Sequence, residues 1–93
     1  VVYIDYTVFY ERDISSTDTK RYVYYVGLSE ELEDKELKKI FKVLNNELKK
    51  PFKKAYENVI VFFFNSFLDY QHGNPFAKVE KLNRKGQIIL ERR

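Results

Sequence analysis

The sequence predicts an α+β fold, an antiparallel or mixed β-sheet with one amphipathic helix packed on one face, and it does so from its hydrophobic patterning. Val59 to Phe64 is an unbroken run of β-branched and aromatic residues bracketed by Asn58 and Asn65-Ser66, the composition of a strand apolar on both faces at the centre of a sheet. Leu37, Ile40, Phe41, Leu44 and Leu48 recur at intervals of three and four, which predicts a helix with a single apolar stripe. Two further stretches near the start of the chain alternate with the period of a half-buried strand.

Taken in order, Val1 to Tyr10 sets Val2, Ile4, Tyr6, Val8 and Tyr10 on one face against Tyr3, Asp5, Thr7 and Phe9. Glu11 to Thr19 is rich in side chains that bond to nearby backbone, so it is expected to be the loop of a long hairpin, with Ile14 as an apolar pin. Lys20 to Gly27 is the return strand, antiparallel to the first, and Gly27 a flexible exit. The helix is expected to start at or just before Asp34, with Ser29 as an earlier alternative cap, and to end before Pro51. Glu36-Leu-Lys-Lys39 recurs as Glu47-Leu-Lys-Lys50, a spacing that returns Leu37 and Leu48 to one side of a helix. Phe67 to Pro75 is expected to be a loop, with Gly73-Asn74-Pro75 as its turn signal. Phe76 to Leu82 and Gln87 to Glu91 form a last hairpin about Asn83-Arg-Lys-Gly86. The expected order is β-β-α-β-β-β in a single domain spanning residues 1–93. Either Val59, Val61 and Phe63 or Ile60, Phe62 and Phe64 could face the helix, so both Phe62 and Phe63 are expected to be needed for folding.

A chain of 93 residues supports one modest core. Hydrophobic content of 44% with 17% aromatic residues places it among folded domains rather than disordered segments. Cysteine is absent, which excludes disulfides, thiolate chemistry and cysteine-ligated zinc. No apolar run is long enough for a transmembrane helix, and no signal-peptide pattern precedes the first strand. Because the chain starts at Val1 and contains no Met, an upstream leader is expected to have been removed.

The Glu36-Leu37 helix with its lysine-rich continuation, Tyr56-Glu57-Asn58-Val59 leading into Val61-Phe62-Phe63-Phe64, and Gly73 followed by Phe76-Ala77-Lys78-Val79-Glu80 together span Leu32 to Leu82. This stretch resembles a small α+β domain of unknown function found in bacterial lipoproteins and other exported proteins. The glycine-rich loop of that family is here the longer Leu68-Asp-Tyr-Gln-His-Gly-Asn74. The resemblance implies no catalytic residues and a location in the bacterial envelope or beyond it.

Catalytic constellations are sparse. His72 is the only histidine, so histidine-rich metal sites are excluded, and a nucleophilic triad would need His72 beside Ser66, Ser15, Ser16 or Ser29. Paired with Asp69, His72 reads more simply as a solvated loop residue. Glu36-x-Lys38 and Glu47-x-Lys49 share the acidic-x-lysine element of metal-dependent nucleases, but on a helix such spacing is surface charge. No catalytic, metal or cofactor site is expected.

Charge is unevenly distributed. Residues 1–34 hold eight acids and three bases, whereas residues 35–93 hold fourteen bases and six acids, so the net +3 conceals an acidic first third and a basic remainder. Lys38, Lys39, Lys42, Lys49 and Lys50 would offer a surface to an anionic partner, nucleic acid or a phospholipid membrane. A helix face kept soluble by lysine is the simpler account. Tyr3, Tyr22, Tyr24, Tyr25 and Tyr70 are candidate contacts on whichever sheet face the helix leaves open. The expectation is a non-enzymatic interaction module that binds a protein partner or a second copy, with anion binding by the lysine helix as the alternative.

Overall fold

The structure, a computed structural model, describes residues 5–48, 56–82 and 87–93. Strands β1 (Thr7–Asp13) and β2 (Arg21–Gly27) are followed by helix α1 (Asp34–Glu47), strand β3 (Asn58–Phe64), a short helix α2 (Phe67–Gln71), and strands β4 (Ala77–Lys81) and β5 (Ile88–Arg92). The strands lie in chain order across one sheet, antiparallel at every junction except β2 against β3, which is parallel. A parallel pair needs a crossover connection, and α1 supplies it. This is the α+β architecture the pattern predicts, with β3 at the centre.

The sheet register selects the inward set. Val59, Val61 and Phe63 of β3 join Tyr24 and Val26 of β2, Ala77 and Val79 of β4, and Leu37, Ile40, Phe41, Leu44 and Leu48 of the helical segment in one buried cluster. Ile60, Phe62 and Phe64 therefore point to the other face. The stripe on α1 buries its apolar residues against the sheet while Lys35, Lys38, Lys39 and Lys42 stay exposed. Helix entry is at Glu33, whose carbonyl accepts from the N–H groups of Glu36 and Leu37 at 3.0 and 3.1 Å. Asp34 and Glu36 then sit in the first turn, where the helix dipole favours acids. Arg92 ties β5 to this entry by donating to the Leu32 carbonyl at 2.8 Å and to Asp34 Oδ1 at 3.1 Å.

The first hairpin departs from the expected pattern. The strand runs on through Glu11, Arg12 and Asp13, which pair with Tyr24, Val23 and Tyr22, so the loop is confined to residues 14–20. A register shift between Val8 and Tyr10 is a β-bulge, and it breaks the alternation. Tyr6 and Val8 pack on the core, whereas Tyr10 lies across from Tyr25 on the opposite face. Gly27 is no flexible exit: it is a buried residue of β2, and the Phe9 ring occupies the space where a side chain would stand. The segment after β3 is likewise not a plain loop, because α2 forms within it. The expected strand at residues 1–4, the stop at Pro51 and the turn at Asn83–Gly86 lie outside the described residues. Among the described residues, no helix is long and apolar enough to cross a membrane.

Candidate interaction surface

The sheet face away from α1 is organised around Tyr25. Its ring stacks on Phe62 at 5.5 Å with 14° between planes, and lies within 5.9 Å of Tyr10 and 5.8 Å of Tyr70. Phe9, seated over Gly27, contacts Tyr70 at 5.2 Å and Phe67 edge-on at 5.4 Å. Phe64 meets Tyr70 edge-on at 5.5 Å. Offset and edge contacts at these spacings are the favoured aromatic geometries, so the array forms a fixed floor.

Helix α2 closes one end of this floor. Ser66 caps it by accepting from the Asp69 N–H at 3.0 Å. Gly73, at φ 69°, ends it, with its N–H donating to the Tyr70 carbonyl at 3.1 Å. Between these limits Tyr70 turns inward, and Phe67 and Leu68 turn out with 55% and 61% of their surface exposed. Tyr10 extends the apolar surface at 46% exposure.

The far margin of the same face is polar. Asn58 accepts from Arg21 Nε at 3.2 Å and donates to Glu80 Oε2 at 2.9 Å and to the Lys81 carbonyl at 2.7 Å, which satisfies a buried amide. Lys78 lies 3.6 Å from both Glu80 and Glu91.

Of the tyrosines expected at an open face, Tyr25 and Tyr70 are there. Tyr22 and Tyr24 are not, because their register turns them towards α1. Tyr24 is only 3% exposed and donates to the Leu44 carbonyl at 3.4 Å. Tyr22 packs against Tyr24 and Tyr56 and donates to Glu11 at 2.6 Å, while Tyr56 donates to Asp13 at 2.8 Å. Burial first, then the neighbouring carboxylates, pushes all three phenols above their ordinary pKa. The Ser15 hydroxyl and N–H, with Tyr56, hold the Asp13 carboxyl below its usual range. Tyr3 lies outside the described residues.

Phe9, Tyr10, Phe67 and Leu68 are surface residues that sequence patterning missed. The signal for the last two was present in Ser66-x-x-Asp69, the spacing of a helix cap with an acid in the first turn.

Lys38, Lys39 and Lys42 share the solvent side of α1 with Lys35, and no ion pair engages them among the described residues; Lys49 and Lys50 lie outside those residues. The acids do not occupy the opposite side of the molecule. Glu11 and Asp13 reach Tyr22 and Tyr56 on the α1 side of the sheet, and Glu30, Glu31, Glu33 and Asp34 are exposed at the entry to α1 itself. His72 is exposed at the C-terminus of α2, and among the described residues no group of three His, Asp or Glu side chains could hold a metal ion.

No known protein family, no curated protein and no solved structure matches the chain.

Proposed function

We propose that the protein is a non-enzymatic interaction module that docks a protein partner on the α2 end of its open sheet face. The observation that carries this reading is the exposure of Phe67 and Leu68, 55% and 61%, beside an aromatic floor already held in place by Tyr25, Phe62 and Tyr70. Two large apolar side chains left exposed on the short helix that borders the aromatic bed, with a polar margin at Arg21, Asn58 and Glu80, match the anatomy of an interface core and rim. A floor fixed before binding also loses little conformational entropy on association. The Ser66 hydroxyl, one of the nucleophile candidates, is taken up in capping α2.

The experiment is a pull-down from the native source with the unaltered chain and with a Phe67→Ser, Leu68→Ser double variant. Both side chains are largely exposed, so the chain is expected to stay folded, with a modest drop in melting temperature from the lost contacts of Phe67 with Phe9 and Tyr70, while a species retained by the unaltered chain is lost. Retention that survives the double substitution, or no retained species at all, overturns the reading.

A second reading, binding of an anionic polymer or surface, is favoured by the exposed ridge of Lys35, Lys38, Lys39 and Lys42. It ranks below the first because Glu11, Asp13 and the acids at the entry to α1 share that side. If the lysines contact phosphates, affinity for a labelled oligonucleotide or for anionic vesicles falls steeply between about 50 and 200 mM salt. No binding to either at the lower salt removes it.

A further inference from the structure

We propose that β5 is the docking strand for a second copy of this chain, pairing antiparallel with its own counterpart about a two-fold axis at Ile89. This is independent of the aromatic surface, since it uses the sheet edge rather than its face.

The two edges of the sheet are built differently. β1 carries a bulge between Val8 and Tyr10 and then Glu11, Arg12 and Asp13, devices that discourage strand addition. β5 has none of these along its apolar half. It matches β4 position for position from Ala77↔Arg92 to Lys81↔Ile88, and no strand pairs with its outer edge among the described residues. Ile89 and, on the neighbouring strand end, Leu82 are left 36% and 40% exposed.

Backbone geometry shows which groups that edge offers. The Leu82 N–H donates to the Gln87 carbonyl at 3.0 Å, and the Arg93 N–H donates to the Phe76 carbonyl at 3.0 Å. Odd-numbered residues of this segment thus spend their backbone groups on β4, and by alternation Ile88, Leu90 and Arg92 turn theirs outward. Pairing two such edges antiparallel, with both α1 helices on the same side of the joined sheet, permits only registers that match residues of equal parity.

Among those registers the side chains choose one. With the axis at Ile89, Ile89 meets Ile89 of the second copy, Ile88 meets its Leu90, and Gln87 meets its Glu91. Each contact is apolar on apolar or amide on carboxylate. The Ile88 and Leu90 pairs then exchange both N–H···O bonds, and Ile89 occupies the closer, non-hydrogen-bonded position on the axis, where opposed side chains touch best. Moving the axis to Leu90 sets Ile88 against Arg92 and Ile89 against Glu91. Moving it to Glu91 opposes two carboxylates. Of the axes at Ile89, Leu90 and Glu91, the first makes the whole segment Gln87-Ile-Ile-Leu-Glu91 self-complementary.

Sedimentation equilibrium tests this directly, on a concentration series reaching about 1 mM so that a weak dimer is seen. The apparent mass is expected to rise from 11.3 kDa towards twice that value. Ile89→Lys places two ammonium groups on the axis and is expected to hold the chain monomeric, with its melting temperature unchanged when measured at a dilution where the unaltered chain is itself monomeric. Mixing Ile89→Lys with Ile89→Glu is expected to restore a heterodimer. A mass of 11.3 kDa throughout the series for the unaltered chain overturns the proposal, as does a dimer that persists in Ile89→Lys. Loss of the dimer in the Phe67→Ser, Leu68→Ser variant overturns it too, by moving the contact to the aromatic face, whereas a dimer retained there supports it.

Discussion

A Cβ on Gly27 would collide with the Phe9 ring, and that ring cannot simply swing aside because Phe67 and Tyr70 flank it. Gly27→Ala is therefore expected to destabilise the fold by about 1 to 3 kcal/mol, the range for overpacking, as a clear drop in melting temperature. Phe9→Ala in the same background should recover part of the loss. The phenols beneath α1 make a second expectation. Tyr22, Tyr24 and Tyr56 have folded-state pKa values above the ordinary value of about 10, so their neutral forms are favoured by folding. That contribution is whole below about pH 10 and is lost as pH rises past it. Spectrophotometric titration of Tyr→Phe variants should show these three ionising above the ordinary tyrosine value of about 10 and together with alkaline unfolding. Titration of Tyr22, Tyr24 and Tyr56 at the ordinary value of about 10 before any unfolding would refute the assignment. For Asp13 the sign is opposite: its smaller contribution is present above the ordinary carboxylate value of about 4 and disappears as pH falls below it.

At the level of elements, β3 separates two neighbouring phenylalanines that patterning treats alike. Phe63 is fully buried against α1, so Phe63→Ala is expected to cost about 3 to 5 kcal/mol, whereas Phe62 is only partly buried on the aromatic floor and its truncation should cost distinctly less. Denaturant midpoints of the two variants check this; equal losses would contradict the register. The central strand, the amphipathic helix and the order of elements were legible because burial on one or both faces imposes a period that the residue types repeat. The bulge at Phe9 was not, since it depends on what Gly27 leaves empty on the adjacent strand. The continuation of β1 through Glu11 and Asp13 was hidden for a similar reason: those carboxylates are kept in a strand by Tyr22 and Tyr56, partners far away in sequence. For the candidate surface, the aromatic residues were visible as a class, but their assignment to faces needed the register. Tyr22 and Tyr24 turn towards α1 by that register, and α2 leaves no helical period in the sequence because a single capped turn is too short to show one.

Across the whole molecule the strands follow one another in space as they do along the chain, so every junction but one can close locally. The exception is the parallel seam, where Arg21 must find Asn58 across the entire α1 segment. Closing so long a loop is entropically dearer than closing the residue 14–20 turn by about 1 kcal/mol, and the parallel pair brings no compensating turn of its own. The folding transition state is therefore expected to be polarised towards that seam: the β1–β2 hairpin can form early as a separate unit, docking of α1 across β2 and β3 limits the rate, and β5 is added at the far edge of the sheet afterwards. Leu37→Ala and Ile40→Val in α1 should slow refolding, whereas Leu90→Ala in β5 should mainly quicken unfolding. Stopped-flow chevrons for these variants would show it, and equal effects on both limbs for all of them would mean that the seam holds no special place in the kinetics.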